Sequence, residues 1–144
     1  MGGLPVYVAN GNIPPSVFVK IDATLSTPNL GNAVIVAGSG DSPIGISQKG
    51  TRYTPLPNAG GQATLDNGYA AIAGQDIGVF LMGSEGVPLL LGGNVTAGDW
   101  LKPNTTGDGT GITTTTPGDH YGARATMSGL AGQIIDVQMV AGTL

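Results

Sequence analysis

The sequence predicts a small all-β protein, a single-domain barrel or sandwich of short strands with Gly/Pro-rich turns and an extended N-terminal arm. A length of 144 residues suits one domain. Glycine (26) and proline (10) make up a quarter of the chain, and short Val/Ile/Leu runs recur between them. Hydrophobic residues reach 40%, which argues against disorder, so we interpret the glycines as turns and bulges.

The N-terminal arm is assigned to residues 1–15 and the β domain to residues 16–144. Pro14 and Pro15 cannot donate backbone hydrogen bonds to a sheet, so regular pairing is not expected around them. A frayed terminus is the alternative interpretation. The apolar residues Leu4, Val6, Tyr7, Val8 and Ile13 favour an arm that contacts a partner.

The strands are predicted from two-residue periodicity and from the turn residues between them. In the first clear strand, Val17, Val19 and Ile21 point to one face, and Lys20 and Asp22 point to the other. A helix is hard to place, and its least unfavourable range is 62–73. The further predicted strands are 33–37, 43–47, 69–73, 76–82, 87–91, 99–102, 112–116, 120–126 and 133–140.

Two pairs of segments suggest an internal duplication. Residues 40–47 resemble residues 118–125, and further along the chain residues 74–81 resemble residues 132–139. Two halves of similar β topology, about 16–83 and 84–144, would produce this order around one core. Chance similarity is the alternative in a chain with so much glycine.

Composition also limits the function classes. The chain has no cysteine, which excludes disulfides and thiolate metal sites. Its net charge is −4, and only 10% of its residues are charged, against about 25% in typical domains. The five basic residues form no run, so we expect no nucleic-acid partner. Glycine, glutamate and proline interrupt the longest apolar stretch, 77–91, and no targeting segment is evident, so we expect no membrane partner.

Catalytic chemistry has little support in the sequence. His120 is the only histidine, and no serine stands in a Gly-x-Ser-x-Gly turn. Most aspartates adjoin glycine, as turns require, and the polar loop 104–111 lacks the ligand pattern of an EF-hand. We therefore predict no enzymatic activity, no catalytic or cofactor-binding residue, no cofactor and no metal. A small hydrolase using His120 and the aspartates is a remaining alternative.

Trp100 is the only tryptophan and is predicted to be a core or interface anchor. It lies in the segment Val-Thr-Ala-Gly-Asp-Trp-Leu-Lys-Pro at residues 95–103. That segment resembles one found in small capsid decoration (cement) proteins of tailed phages. The resemblance continues through the Gly-rich segment 107–112, the strand 121–128 and the segment 131–139. It covers residues 84–144, and extends more loosely to 16–83 through residues 42–47.

The resemblance implies a structural virion protein on the outer surface of a phage capsid. Its partners would be the major capsid protein and further copies of itself, as a homotrimer or a dimer. Many modest contacts would then sum along the shell and stabilise it. The expected interface residues are Leu4, Val6, Tyr7, Val8, Ile13 and Trp100. A glycan-binding β module of a phage tail or cell-surface protein is the alternative function.

Overall fold

The computed structural model describes residues 7–22, 33–48, 71, 74 and 76–144, and all regular structure within these ranges is β. The predicted all-β class is therefore confirmed. No helix long and apolar enough to cross a bilayer occurs among these residues. The strands are β1 Tyr7–Ala9, β2 Phe18–Ile21, β3 Ala33–Val36, β4 Gly45–Ser47, β5 Asp76–Ile77, β6 Val79–Leu81, β7 Val87–Leu90, β8 Trp100–Pro103, β9 Gly111–Thr113, β10 His120–Ala125 and β11 Ile134–Thr143.

The strands form two sheets, and each sheet curls into a barrel. The first has the order β5-β1-β3-β2-β4-β6. Only Gly78 separates β5 from β6 along the chain, so the two edges of this sheet meet and the ring closes. The second has the order β7-β11-β10-β8-β9, and a parallel bridge from Leu91 to Gly111 joins its two edges. Closure removes the exposed strand edges that would otherwise pair with other chains.

The two barrels repeat one strand order. The antiparallel series β3-β2-β4-β6 of the first barrel has the same connectivity as β9-β8-β10-β11 of the second. The isolated bridge between Ile13 and Ala71 has its equivalent in the bridge between Val95 and Gly129. The segments that resemble each other in sequence lie at matching places, because β4 matches β10 and β5–β6 together match β11.

Residues 7–9 of the predicted arm form a sheet strand. β1 pairs in parallel with β3 and antiparallel with β5, so it belongs to the first barrel. Pro14 and Pro15 occupy the turn between β1 and β2, which is consistent with their lack of a donor. The predicted strand 69–73 and the helix candidate 62–73 lie outside the described residues except for Ala71, which bridges to Ile13.

The core consists of two clusters, one inside each barrel. Val17, Val19 and Val34 belong to the first cluster, inside the first barrel. Phe18 and Ile46 point outward from that barrel, yet both are completely buried because they pack into the core of the second barrel. The strand predicted to have one polar face is therefore buried on both faces at Phe18.

The second barrel receives Phe18 in a cleft formed by two glycines. A Cβ atom added to Gly111 would lie 3.6 Å from the Phe18 ring, and one added to Gly122 would lie 3.0 Å from it. Backbone hydrogen bonds also cross between the barrels, from the amide of Phe18 to the carbonyl of Gly109 and from the amide of Leu90 to the carbonyl of Ser16. The outer wall of the first barrel thus covers one end of the second barrel.

Candidate interaction surface

The outer wall of the second barrel carries an aromatic and cationic group of side chains on β8 and β10. In β8, Leu101 and Pro103 are buried, whereas Trp100 and Lys102 alternate with them and are half-buried on the outside. In β10, Arg124 stands directly opposite Trp100. We call Trp100, Tyr121 and Arg124 together the Trp100 face.

The three side chains of the Trp100 face contact one another. The ring centroids of Trp100 and Tyr121 are 4.4 Å apart with an interplanar angle of 37°. The Cζ atom of Arg124 lies 5.0 Å from the Trp100 ring centroid, within the range of a cation–π interaction. The Nε–H of Arg124 donates to the carbonyl of Gly98 at 3.3 Å. These contacts hold two large rings and one positive charge at fixed places on the surface.

A salt bridge stands beside the Trp100 face on the same barrel. Lys102 Nζ lies 2.6 Å from Asp119 Oδ2, and the hydroxyl of Thr114 donates to the same oxygen at 2.5 Å. The hydrogen bond from Lys102, followed by that from Thr114, lowers the pKa of Asp119 below its ordinary value of 3.8. Lys102 is therefore already paired, while Arg124 forms no ion pair within the described parts of the chain.

The first barrel repeats this arrangement at equivalent positions. Lys20 pairs with Asp41 at 2.8 Å, as Lys102 pairs with Asp119. Burial raises the pKa of Asp41, but hydrogen bonds from Lys20 and from the Gly38 amide, together with the Lys20 charge, outweigh it and leave the pKa below 3.8. Phe18 stands opposite Ile46 in the first barrel as Trp100 stands opposite Arg124 in the second.

The structure separates the six interface residues predicted from sequence. Leu4 and Val6 lie outside the described residues. Tyr7 and Val8 are half-buried in β1, and Ile13 is completely buried inside its own barrel, which accounts for its apolar character without an external partner. Trp100 lies on the outer wall of the second barrel, in a different sheet from β1.

Sequence reasoning did not single out Tyr121 and Arg124, nor the exposed apolar residues of the β10–β11 hairpin. Met127, Leu130 and Ile134 are 46%, 59% and 57% exposed. Leu130 also lines a shallow depression with Val95 and Thr96, at the barrel end opposite to the one that holds Phe18. Because strand pairing creates the Trp100 face, only the register of β8 with β10 could have revealed it.

His120 and the aspartate of the polar loop 104–111 form hydrogen bonds with neighbouring threonines. His120 is exposed, and its Nδ1 lies 2.9 Å from the hydroxyl of Thr143. In the loop 104–111, the carboxylate of Asp108 accepts hydrogen bonds from the amide and hydroxyl of Thr110, as turn aspartates commonly do. Among the described residues, no three His, Asp or Glu side chains lie close enough together to hold a metal ion.

Comparison with known proteins yields a likeness of fold. No protein-family model matches the sequence, and no curated protein matches it. The solved structures include one described as the crystal structure of head fiber gp8.5 N base in bacteriophage phi29, which superposes with a TM-score of 0.56. The match covers 96% of this chain and 94% of that chain at 15% sequence identity. At that identity the likeness concerns the fold, and it extends over both barrels.

Proposed function

We propose that this protein is a structural component of a phage virion that binds the outer surface of the capsid and stabilises the assembled shell. The observation that carries the proposal is the fold likeness to a phage head fiber base over nearly the full length of both chains. The resemblance of residues 84–144 to segments of capsid decoration proteins is the second support for it. The proposed partners are the major capsid protein and further copies of this chain, with a homotrimer as the proposed state.

The physical features of the chain suit that role. Two closed barrels with a shared buried contact give a rigid body, and closure leaves few strand edges open among the described residues. A rigid body loses little conformational entropy on binding, so more of the contact energy appears as affinity. Repeated copies on one lattice then stabilise it, because any protein that binds only the assembled shell shifts the equilibrium toward that shell.

Co-sedimentation with expanded, undecorated capsids of the source phage tests this proposal. We expect saturable binding at a fixed ratio to the capsid subunit, and a higher disruption temperature for the decorated shell than for the bare one. Light scattering on the free protein gives its oligomeric state, with a trimer expected. Absence of binding to a shell shown to be competent for its natural decoration would contradict the proposal.

A glycan-binding module is the second candidate, and the half-buried pair of Trp100 and Tyr121 on the outer wall favours it. Aromatic rings commonly stack on sugar rings, but here Arg124 already covers part of Trp100. Because Trp100 is the only tryptophan, its fluorescence reports sugar binding without interference from other tryptophans. A saturable fluorescence change with a bacterial surface glycan, together with no capsid binding, would establish this alternative instead.

A further inference from the structure

We infer that the Trp100 face is the contact surface for a folded protein partner that offers an apolar cleft with an acidic rim. This inference rests on the proposed function, under which that partner is the capsid subunit. It identifies which wall of the molecule meets the shell, and it assigns the contact to Trp100, Tyr121 and Arg124.

The outward rows of side chains on the two barrels occupy equivalent positions. In the first barrel, the outward row Phe18–Ile46–Phe80 runs across β2, β4 and β6. In the second barrel, the row Trp100–Arg124–Gln138 occupies the same places across β8, β10 and β11. The first row docks on another folded body, the second barrel, and is buried there at Phe18 and Ile46. The second row has no such cover from the described residues.

The two rows differ in the chemistry of their side chains. The covered row is entirely apolar, as expected of a permanent contact inside one chain. The open row combines an aromatic ring with a guanidinium and an amide, and Tyr121 adds a second ring beside it. Tryptophan, tyrosine and arginine are the residue types enriched at the centres of interfaces between separately folded proteins. The open row is therefore suited to a partner that binds from solution.

The charges on this wall of the second barrel favour an acidic partner. The carboxylate of Asp119 is engaged by Lys102 and Thr114, and that of Asp99 accepts hydrogen bonds from the Thr96 amide and the Thr113 hydroxyl. Arg124 is exposed, and within the described part of the chain only the Gly98 carbonyl and the Trp100 ring engage it. A partner carboxylate could approach it without displacing an internal ion pair, which defines the acidic rim.

A second copy of this chain is a poorer occupant for the same docking mode. Phe18 enters the second barrel between Gly111 and Gly122. The register places Val34 and Ile44 at the equivalent positions of the first barrel. These larger side chains fill the space that the glycines leave open. A head-to-tail chain of copies joined through Trp100 in this docking mode is therefore not expected, which favours a different protein as the partner.

Three variants of the full-length protein test the inference in the co-sedimentation assay. Trp100→Ala removes the central ring, and we expect at least a roughly 30-fold loss of capsid affinity, the size typical of a hot-spot residue. Arg124→Glu reverses the charge at an exposed position, and we expect a loss of about tenfold that grows smaller at high salt. Leu130→Ala is the matched control, since it truncates an exposed apolar side chain of the same barrel outside the Trp100 face.

The outcomes separate the inference from the proposed function. If the wild type binds and Trp100→Ala binds equally well, the inference is wrong and the proposed function stands. If the wild type fails to bind a competent shell, both fail. If light scattering showed that Trp100→Ala forms a smaller oligomer than the wild type, the Trp100 face would be an interface between copies of this chain, and the inference would be wrong. Glycan binding at Trp100 would also overturn it. Should Trp100→Ala not fold, as judged by circular dichroism, Arg124→Glu decides the question.

Discussion

Ser16 is the only described non-glycine residue with a positive φ, at 63°, and its equivalent in the second barrel is Gly98 with a φ of 93°. Both lie at the turn that enters the central strand of their barrel. A left-handed conformation costs a side-chain-bearing residue roughly 1–2 kcal/mol, whereas glycine adopts it freely but loses about 0.5–1 kcal/mol more entropy on folding. The first barrel therefore carries a small strain that the second barrel avoids.

Exchange of the two residues tests this assignment. Ser16→Gly is expected to raise the free energy of unfolding by up to about 1 kcal/mol, because relief of the φ strain exceeds the added entropy loss. Gly98→Ser is expected to lower it, since it creates the strain that Ser16 bears. Urea unfolding of the two variants and the wild type measures both values. If both variants changed the free energy of unfolding in the same direction, or if Ser16→Gly lowered it and Gly98→Ser raised it, the two turns would not be equivalent.

Gly122 must be small for a different reason, because side chains of the first barrel pack closely against it. A Cβ atom at this position would lie 2.5 Å from Pro43 Cγ and 3.0 Å from Phe18 Cε1. Gly122→Ala is therefore expected to lower the free energy of unfolding by about 1–3 kcal/mol, the usual cost of overpacking. Gly93→Ala is the control, because its Cβ would meet only Ile112 at 3.6 Å. If Gly122→Ala lowered the free energy of unfolding as little as Gly93→Ala does, the two barrels would not be in contact at Gly122.

At the scale of elements, one lysine–aspartate pair recurs in each barrel and ties a central strand to the loop before the next strand. Lys20 lies in β2 and Asp41 precedes β4, while Lys102 lies in β8 and Asp119 precedes β10. Partly exposed pairs of this kind contribute little each, because water and salt screen them. Because the pair recurs, the loop before β4 and the loop before β10 are attached to their barrels by the same interaction.

The lowered pKa values of Asp41 and Asp119 predict an acid-dependent loss of stability. Since the folded-state pKa of each lies below the unfolded value near 3.8, the contribution is complete above that value and is lost as the pH falls through the folded pKa. In Asp41→Asn, the free energy of unfolding at pH 7 should be slightly lower than in the wild type, and it should fall less steeply below about pH 4. Asp76→Asn, at an exposed position outside both pairs, is the control; a pH profile for Asp41→Asn parallel to that of the wild type would contradict the prediction.

Most elements could be predicted from the sequence, because strand residues alternate and turn residues interrupt them. The predicted ranges 87–91 and 120–126 each contain one observed strand, and the range 99–102 covers all of β8 except Pro103. β1 is absent from the predicted strands because its three residues stand among glycine and proline, and its pairing with β3 and β5 comes from distant parts of the chain. Short strands supported only by long-range pairing leave little local signal.

The candidate surface was less predictable than the elements. Trp100 stood out because it is the only tryptophan. Its neighbours Tyr121 and Arg124 are more than twenty positions away along the chain and meet it only through strand register. Burial of Phe18 on the face shared with Lys20 also could not be derived locally, because periodicity within one strand does not show which neighbouring body covers its outer face.

At the scale of the whole molecule, the two barrels form one folding unit with an asymmetric joint. The first barrel contributes Phe18, Ile46 and Ala37 to the core of the second barrel. Phe80 and Met82, partly buried, pack against the same cluster. Among the described residues, the second barrel makes no equivalent insertion into the first, whose cluster consists of residues between 7 and 79. The second barrel therefore depends on the first for closure of its core.

This asymmetry predicts how the molecule unfolds. The wild type should unfold in one transition, with calorimetric and van't Hoff enthalpies equal, because neither barrel buries its apolar surface fully alone.

Phe18→Ala should remove about 3–5 kcal/mol of stability, the usual cost for a buried phenylalanine, and should weaken the second barrel first. Hydrogen exchange would show this as faster exchange of the β8, β10 and β11 amides than of the β2 and β3 amides. The control is Val19→Ala, which empties the interior of the first barrel and should speed exchange there instead. Equal acceleration of both barrels by Phe18→Ala would show that the joint couples them symmetrically, contrary to the placement of Phe18 in the core of the second barrel alone.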